Sequence, residues 1–448
     1  MSSTIVESGN NTRLAGIGGV GELLSSERQP DGSKTLKVLS SASVASRDAS
    51  GRQRTSNPTN LYVAKQIADN LPRLWDDAEV SGSGTTSVYN QNRASTTISV
   101  SNLTAGKRVR QTFRRYNYES GNSHLVDLSW VGKTPVAGIR CEIVYGDDNN
   151  GLGFVQDGLR LGVFMRSSVT GVPVDTIAWQ DDADPSLEWN IDTLDGSSDD
   201  RNPSGANLDF SKIQVGLIDF LWLSGDKVRF GLKIGEEVVY FHQFLIANVD
   251  DAPYISTPNL PIRYSIENDG TGPSYSLECI CASVKTEGSD SPLGLDFYVS
   301  TQLTGGSFTA SATGTVYPVL GMQLRNSYVG VNVFPLKLGI VATTNDDFEW
   351  LLIRNPTITG GVWSYSDYGS SAIQVARGDG TSVVASPTTE DIVGGDMGKG
   401  DSSLTSSLSN ITGLGNYIDG TPDTLVLCVR SLSPNLVLNM GVNFRELL

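Results

Sequence analysis

Few residues in this chain have types and spacing suited to chemistry. Asp147-Asp148-Asn149-Asn150-Gly151 gathers side-chain oxygens of the kind calcium takes, as do Asp181-Asp182-Ala183-Asp184 and the acidic run from Asp195 to Asp200. None has EF-hand spacing, and Asp, Asn and Gly are also what tight turns prefer. Turns are therefore expected, and no metal site is assigned. Trp363, Tyr365 and Tyr368 fall in one Gly/Ser-rich segment. They form a candidate ligand platform, because exposed aromatic rings stack on the C–H faces of sugars; packing in a core or interface is the plainer alternative. Gly16-Ile17-Gly18-Gly19-Val20-Gly21 spells a dinucleotide fingerprint, but that loop works only between a strand and a helix of a βαβ unit, and no such pattern surrounds it. Arg377-Gly378-Asp379, followed by Gly380, reads as a turn.

Catalysis finds little support. There are two histidines, His124 and His242, with no Gly-x-Ser-x-Gly and no His-Glu-x-x-His, which removes the common hydrolase and zinc arrangements. A pair of carboxylates acting on a glycosidic bond stays open, since sequence spacing does not reveal their separation. No enzyme activity, catalytic residue or cofactor is expected. Of four cysteines, Cys279 and Cys281 are expected on one face of a strand, and all four as buried free thiols.

Lys107, Arg108, Arg110, Arg114 and Arg115 crowd into nine residues of a chain with net charge −16. The overall acidity opposes general nucleic-acid binding. The cluster reads as a solvated strand edge that discourages aggregation, or as assembly contacts to an acidic neighbouring subunit. No signal peptide and no apolar run of 18 residues is visible, so membrane insertion is not expected.

The elements that must position these residues are strands. Charged residues make up 18% of the chain and glycine contributes 48 residues, a balance suited to strands and turns. Alternation of period 2 marks 124–130, 139–145, 161–166 and 213–244, with turns about every ten residues, as in a sandwich. The fold class expected is all-β: an extended N-terminal arm with one short helix (1–78), an antiparallel jelly-roll-like sandwich (79–287) and a second β domain (293–448). The helix is placed at Leu61–Asn70, where Leu61, Ala64, Ile67, Ala68 and Leu71 share a face, with Asn57 or Thr59 as cap and Pro72 beyond the end.

Arg110-Gln-Thr-Phe-Arg-Arg-Tyr-Asn-Tyr118, Asp148-Asn-Asn-Gly-Leu-Gly-Phe154, Asn190-Ile-Asp-Thr-Leu-Asp-Gly196, Asp219-Phe-Leu-Trp-Leu223 and Thr257-Pro-Asn-Leu-Pro-Ile-Arg-Tyr264, with shorter matches between them, resemble virion structural proteins of tailed bacteriophages, a capsid-associated or fibre-like group. The resemblance covers about 180 residues. It implies a structural component of a virion, assembled in the host cytoplasm. Its partners would be other capsid or tail subunits and itself as a homotrimer, and it carries over no catalytic residue. The alternative is a receptor- or glycan-binding module of the adsorption apparatus.

Overall fold

The computed structural model describes residues 58–222, 227–288, 294–387, 391–400, 403–408 and 413–447, together with the backbone of four earlier strands. Those four, β1 (Thr4–Ser8), β2 (Asn11–Ala15), β3 (Glu22–Arg28) and β4 (Lys34–Leu39), pair in sequence order as an antiparallel meander. A small sheet therefore stands where an extended arm was expected. The sequence places Gly9-Asn10, a hairpin-favouring pair, between the first two strands. The glycine motif Gly16–Gly21 lies outside the described residues.

The first sandwich is built from β5 (Thr59–Lys65), β6 (Trp75–Gly82), β7 (Thr85–Asn90), β8 (Ser95–Val100), β9 (Gly106–Thr112), β10 (His124–Val131), β11 (Ile139–Gly146), β12 (Gly151–Asp157), β13 (Arg160–Ser167), β14 (Val174–Trp179), β15 (Ile213–Phe220), β16 (Lys227–Ile234), β17 (Glu237–Leu245), β18 (Ile262–Asn268) and β19 (Tyr275–Thr286). One sheet runs β17-β16-β15-β10-β19-β8-β7, with β5 also on β19; the facing sheet runs β14-β13-β12-β11-β18-β9-β6. Alternate residues of both sheets meet in one core, including Val126, Leu128, Trp130, Ile218 and Phe230 against Ile143, Tyr145, Leu152, Phe154, Ile262 and Tyr264. Each such side chain contributes about 1.5–3 kcal/mol on burial.

The second sandwich contains β20 (Leu295–Ser300), α1 (Thr301–Thr304), β21 (Phe308–Ala310), β22 (Val316–Leu324), β23 (Asn332–Ala342), β24 (Phe348–Arg354), β25 (Ile358–Thr359), β26 (Ser366–Asp367), β27 (Ile373–Arg377), β28 (Val383–Val384), β29 (Asp391–Gly398), β30 (Ser403–Ser407), β31 (Thr424–Ser431) and β32 (Leu436–Leu447). Its sheets are β20-β32-β23-β30, with β21 also on β32, and β26-β27-β22-β31-β24-β29. Leu338, Ile340, Val442 and Phe444 of one sheet close on Leu320, Trp350, Leu352 and Leu427 of the other. The all-β class and its antiparallel sheets are as the sequence implies.

Three local expectations are corrected. The segment placed as a helix, Leu61–Asn70, opens instead as β5, and the α-helix among the described residues is the single turn α1. Ala64 is 2% exposed and Gln66 4%, on the inward side, while Ile67 is 70% exposed. The period-2 signal was hidden because an inward position carries a polar residue. That residue has a task. The same edge of β19 pairs with β8 as far as Cys279 and with β5 from Cys281 onward. At the changeover the Gln66 Nε2 donates to the carbonyls of Cys279 (3.0 Å) and Ile280 (2.8 Å), and its Oε1 accepts from Thr96. Gln66→Leu is expected to cost about 1–3 kcal/mol, the penalty of leaving buried carbonyls unpaired; urea unfolding measures it, and an unchanged midpoint would refute this role.

Cys279 and Cys281 do not share a face. Trp130 pairs with Cys279 but Leu128 with Ala282, so Ser129 alone opposes Ile280 and Cys281. This β-bulge reverses the alternation, burying Cys279 and exposing Cys281. Nor is the basic cluster a strand edge. β9 lies between β18 and β6, and Arg108 and Arg110 stand opposite the core residues Ile266 and Tyr264, on the inward side of their sheet.

Candidate ligand-binding site

The outward face of the β14-to-β6 sheet carries a network of ion pairs. Register places Ala78, Val109, Ser265, Glu142, Val155, Gly162 and Trp179 in one row across all seven strands. Glu142 is the one ionisable group in that row. Burial opposes its charge, but Arg166 (3.1 Å) and Arg140 (2.9 Å), with Lys107 further off, outweigh burial and hold its carboxyl below the usual range. Asp175 joins the network through Arg166 at 2.8 Å, and Asp157 through Arg140 at 2.6 Å. A carboxylate kept ionised in this way is a poor proton donor at neutral pH.

The β6 end of this face becomes a cleft because the second sandwich supplies a roof. The segment 413–423 crosses to the first sandwich, where the Asn416 N–H donates to the Phe113 carbonyl (3.0 Å) and the Ile418 N–H to Asp76 Oδ2 (2.8 Å). The Tyr417 ring meets Phe113 edge-on, with centroids 4.9 Å apart. The resulting cleft has a volume of about 510 Å³, within the range of ligand sites. Ala78, Val80 and Val109 give an apolar floor; Asp76, Glu79, Asp148 and Asp419 supply carboxylates, Lys107 a cation and Tyr417 an aromatic wall.

The roof segment is fixed from behind. Arg354 pairs with Asp423, which is 0% exposed, and the Asp423 N–H donates to the Gly415 carbonyl (2.9 Å). Asn355, in the left-handed region at φ 47°, accepts from the Thr424 N–H at 2.7 Å. On the other side of Tyr417 a second opening, about 370 Å³, is lined by Pro72, Arg73, Phe113, Arg354, Asn355 and Asp391. Arg73 and Asp391 close part of the seam at 2.9 Å.

No family model and no curated protein sequence matches this chain. Solved structures do show likenesses. A β-glucanase from Bacillus licheniformis aligns with 51% of this chain and 98% of its own, at TM-score 0.31 and 9% identity. A legume lectin-like domain from Entamoeba histolytica aligns with 51% and 98%, at 0.30 and 12%. A carbohydrate esterase from the Shiga toxin-encoding bacteriophage phi24B aligns with 51% and 99%, at 0.28 and 10%.

The residues singled out from sequence are distributed as follows. Lys107 lines the cleft and pairs with Glu267 at 3.5 Å. Arg108 binds Asp77 at 2.6 Å, and Arg110, 1% exposed, lies 4.9 Å over the Trp75 ring and reaches the Asn70 carbonyl. Arg115 pairs with Asp147 at 2.6 Å, and Arg114 lies 4.8 Å over the Phe334 ring of the second sandwich. All five therefore meet groups of their own chain, and two of them tie loops and sandwiches together. Trp363 and Tyr365 do come together, edge-on at 6.0 Å. They lie over Gly321, where a Cβ would stand 2.5 Å from the Trp363 ring, and Trp363 packs on a small cluster that includes Val316, Leu351 and Val426. Burial pushes the Tyr365 hydroxyl up to about 12. Tyr368 is apart from them, donating its hydroxyl to the Tyr298 carbonyl at 2.7 Å.

The acidic loops are held by protein donors. Asp147 accepts from the N–H groups of Asn149 and Asn150 and from Arg115, while Asp148 binds Arg263. Among the described residues, no three Asp, Glu, His or Cys side chains converge as a metal site would require. Asp379 caps its turn through the N–H groups of Val362, Thr381 and Ser382, which hold it well below the usual carboxylate range. Sequence reasoning missed Tyr417, Asp419 and Asp76. The pair Gly415-Asn416 beside an aromatic in a loop-rich span was the available signal, but nothing in it points to Phe113, some 300 residues away.

Proposed function

We propose that this chain is a saccharide-binding component of a bacteriophage particle, holding a host surface glycan in the cleft between its two sandwiches. The observation that carries the reading is the composition of that cleft: a Tyr417 wall, an apolar floor, four carboxylates and Lys107 in about 510 Å³. Pyranose rings present apolar C–H faces and a rim of hydroxyls, so they call for an aromatic surface and for charged acceptors and donors together. The phage placement draws on the sequence resemblance across 110–287. On this reading the segment before Thr59 joins other virion proteins, and a homotrimer would present three clefts to one cell surface and gain avidity.

Tyr417→Ala is expected to weaken oligosaccharide binding tenfold or more, the usual scale for truncating a central aromatic. Glycan-array screening followed by calorimetric titration measures it. Equal affinity in the variant would sink the cleft as the site. Mass spectrometry of purified particles tests the placement, and absence of the chain from them would refute it.

A further inference from the structure

The second sandwich carries another concave site, remote from the cleft. On the outward face of the β20-β32-β23-β30 sheet, register aligns Ser300, Gly441, Gly339 and Thr405 across all four strands. Two glycines side by side in the middle of a sheet leave a furrow where side chains would otherwise stand. A Cβ at Gly441 would collide with the Tyr298 ring, so that ring lies across the position, whereas a Cβ at Gly339 would meet nothing within 4 Å. The furrow is thus open at Gly339 and walled by Tyr298, which is 47% exposed. At one end the Gln302 amide donates to Asn439 Oδ1 at 2.6 Å. Its volume is about 530 Å³.

We infer that this furrow binds a neutral pyranose unit, giving the chain a second saccharide site; the inference rests on the saccharide-binding reading above. Charge selects the occupant. The chain carries a net charge of −16, yet the described residues that line the furrow include no Asp, Glu, Lys or Arg. An anionic or cationic ligand would lose hydration there without a counter-charge, while an uncharged sugar would lay a C–H face on Tyr298 and turn hydroxyls to the amides and to Thr405. The bare floor at Gly339 lets the ring approach the backbone closely. A peptide strand would use the edge of this sheet rather than its face.

Calorimetric titration with chito- and galacto-oligosaccharides, and with sialyllactose as the charged control, tests the furrow in the full chain. Gly339→Leu fills the floor at a position where a Cβ meets nothing within 4 Å, and Tyr298→Ala removes the wall. We expect two classes of site in the unsubstituted chain: one weakened at least tenfold by either furrow variant, the other weakened only by Tyr417→Ala. A single class lost with Tyr417→Ala and indifferent to Gly339→Leu would overturn the furrow and leave the cleft standing. A single class lost only with Gly339→Leu would do the reverse. If Gly339→Leu changes the oligomeric state and no titration, the face is an interface between copies and the inference fails; it fails equally if no saccharide binds.

Discussion

Replacing Arg354 with methionine is expected to cost about 3–5 kcal/mol at pH 7, the scale of leaving one partner of a buried ion pair alone. Asp423 is 0% exposed and Arg354 6%. Burial already pushes the Asp423 carboxyl above the usual range, against the pull of Arg354 and of the Asn355 amide. Without the guanidinium the carboxyl must either stay charged in an apolar setting or take a proton, so the deficit should shrink as the pH falls and Asp423 protonates. Arg354→Met with Asp423→Leu should recover much of the loss, because the stranded charge is then gone. Denaturant unfolding at pH 7 and pH 5 reads all three quantities. A loss under about 1 kcal/mol at pH 7 would refute the account of this pair. Since the Asp423 N–H holds Gly415 and the segment leads directly to Tyr417, Arg354→Met should also weaken saccharide binding where folding survives.

Acid should destabilise the first sandwich well before its carboxylates protonate, through its two histidines. His124 is 0% exposed, between the Tyr118 ring at 4.8 Å and the Phe220 ring at 5.7 Å, and neither ring nitrogen has a hydrogen-bond partner among the described residues. Burial alone lowers its pKa from 6.5 to about 3, and that of His242 to about 4. His242 Nδ1 accepts from the Asn190 N–H at 3.3 Å, so it too is held neutral. Both folded values lie below the unfolded one, so the unfolded chain binds more protons in acid. Their contribution is complete above pH 6.5 and is lost as the pH falls, through about 4 for His242 and about 3 for His124. The slope is about 1.4 kcal/mol per pH unit for each ring, or roughly 5 kcal/mol for both between pH 6.5 and 4.5. Glu142 and Asp147, held below the usual range despite burial by their arginines, add a further loss at lower pH, while Asp423 works in the opposite sense. His124→Phe should roughly halve the slope between pH 6.5 and 4.5. An unchanged slope would show that this ring is not the group being titrated.

How much was legible from the sequence depended on whether alternation survived at each strand. β10, β11 and β16 announce themselves because their inward positions are apolar: Val126, Leu128 and Trp130; Ile139, Cys141 and Ile143; Val228, Phe230 and Leu232. β5 did not, because the next inward position, just past its end, is the polar Gln66, and Leu61, Ala64, Ile67 and Leu71 mimic a helical stripe. β9 did not, because Arg108 and Arg110 point inward to Asp77, and a run of arginines reads as surface. The bulge at Ser129 arises from pairing across β10 and β19, and no local pattern reports it. The candidate site was the least legible part. Lys107 was marked, for other reasons, but Asp76 and Tyr417 become neighbours only when the second sandwich folds back on the first. Of the three aromatics singled out as a platform, Trp363 and Tyr365 meet over Gly321, with Trp363 packed on a satellite core, and Tyr368 stands apart from them.

The most direct measurement of the central claim is a structure of the chain with a bound oligosaccharide chosen by array screening. The account predicts density between Val109 and Tyr417, with sugar hydroxyls within hydrogen-bond reach of Lys107 and of at least one of Asp76, Glu79, Asp148 and Asp419. A saccharide bound with the cleft empty, or no saccharide bound by the folded chain, would contradict it.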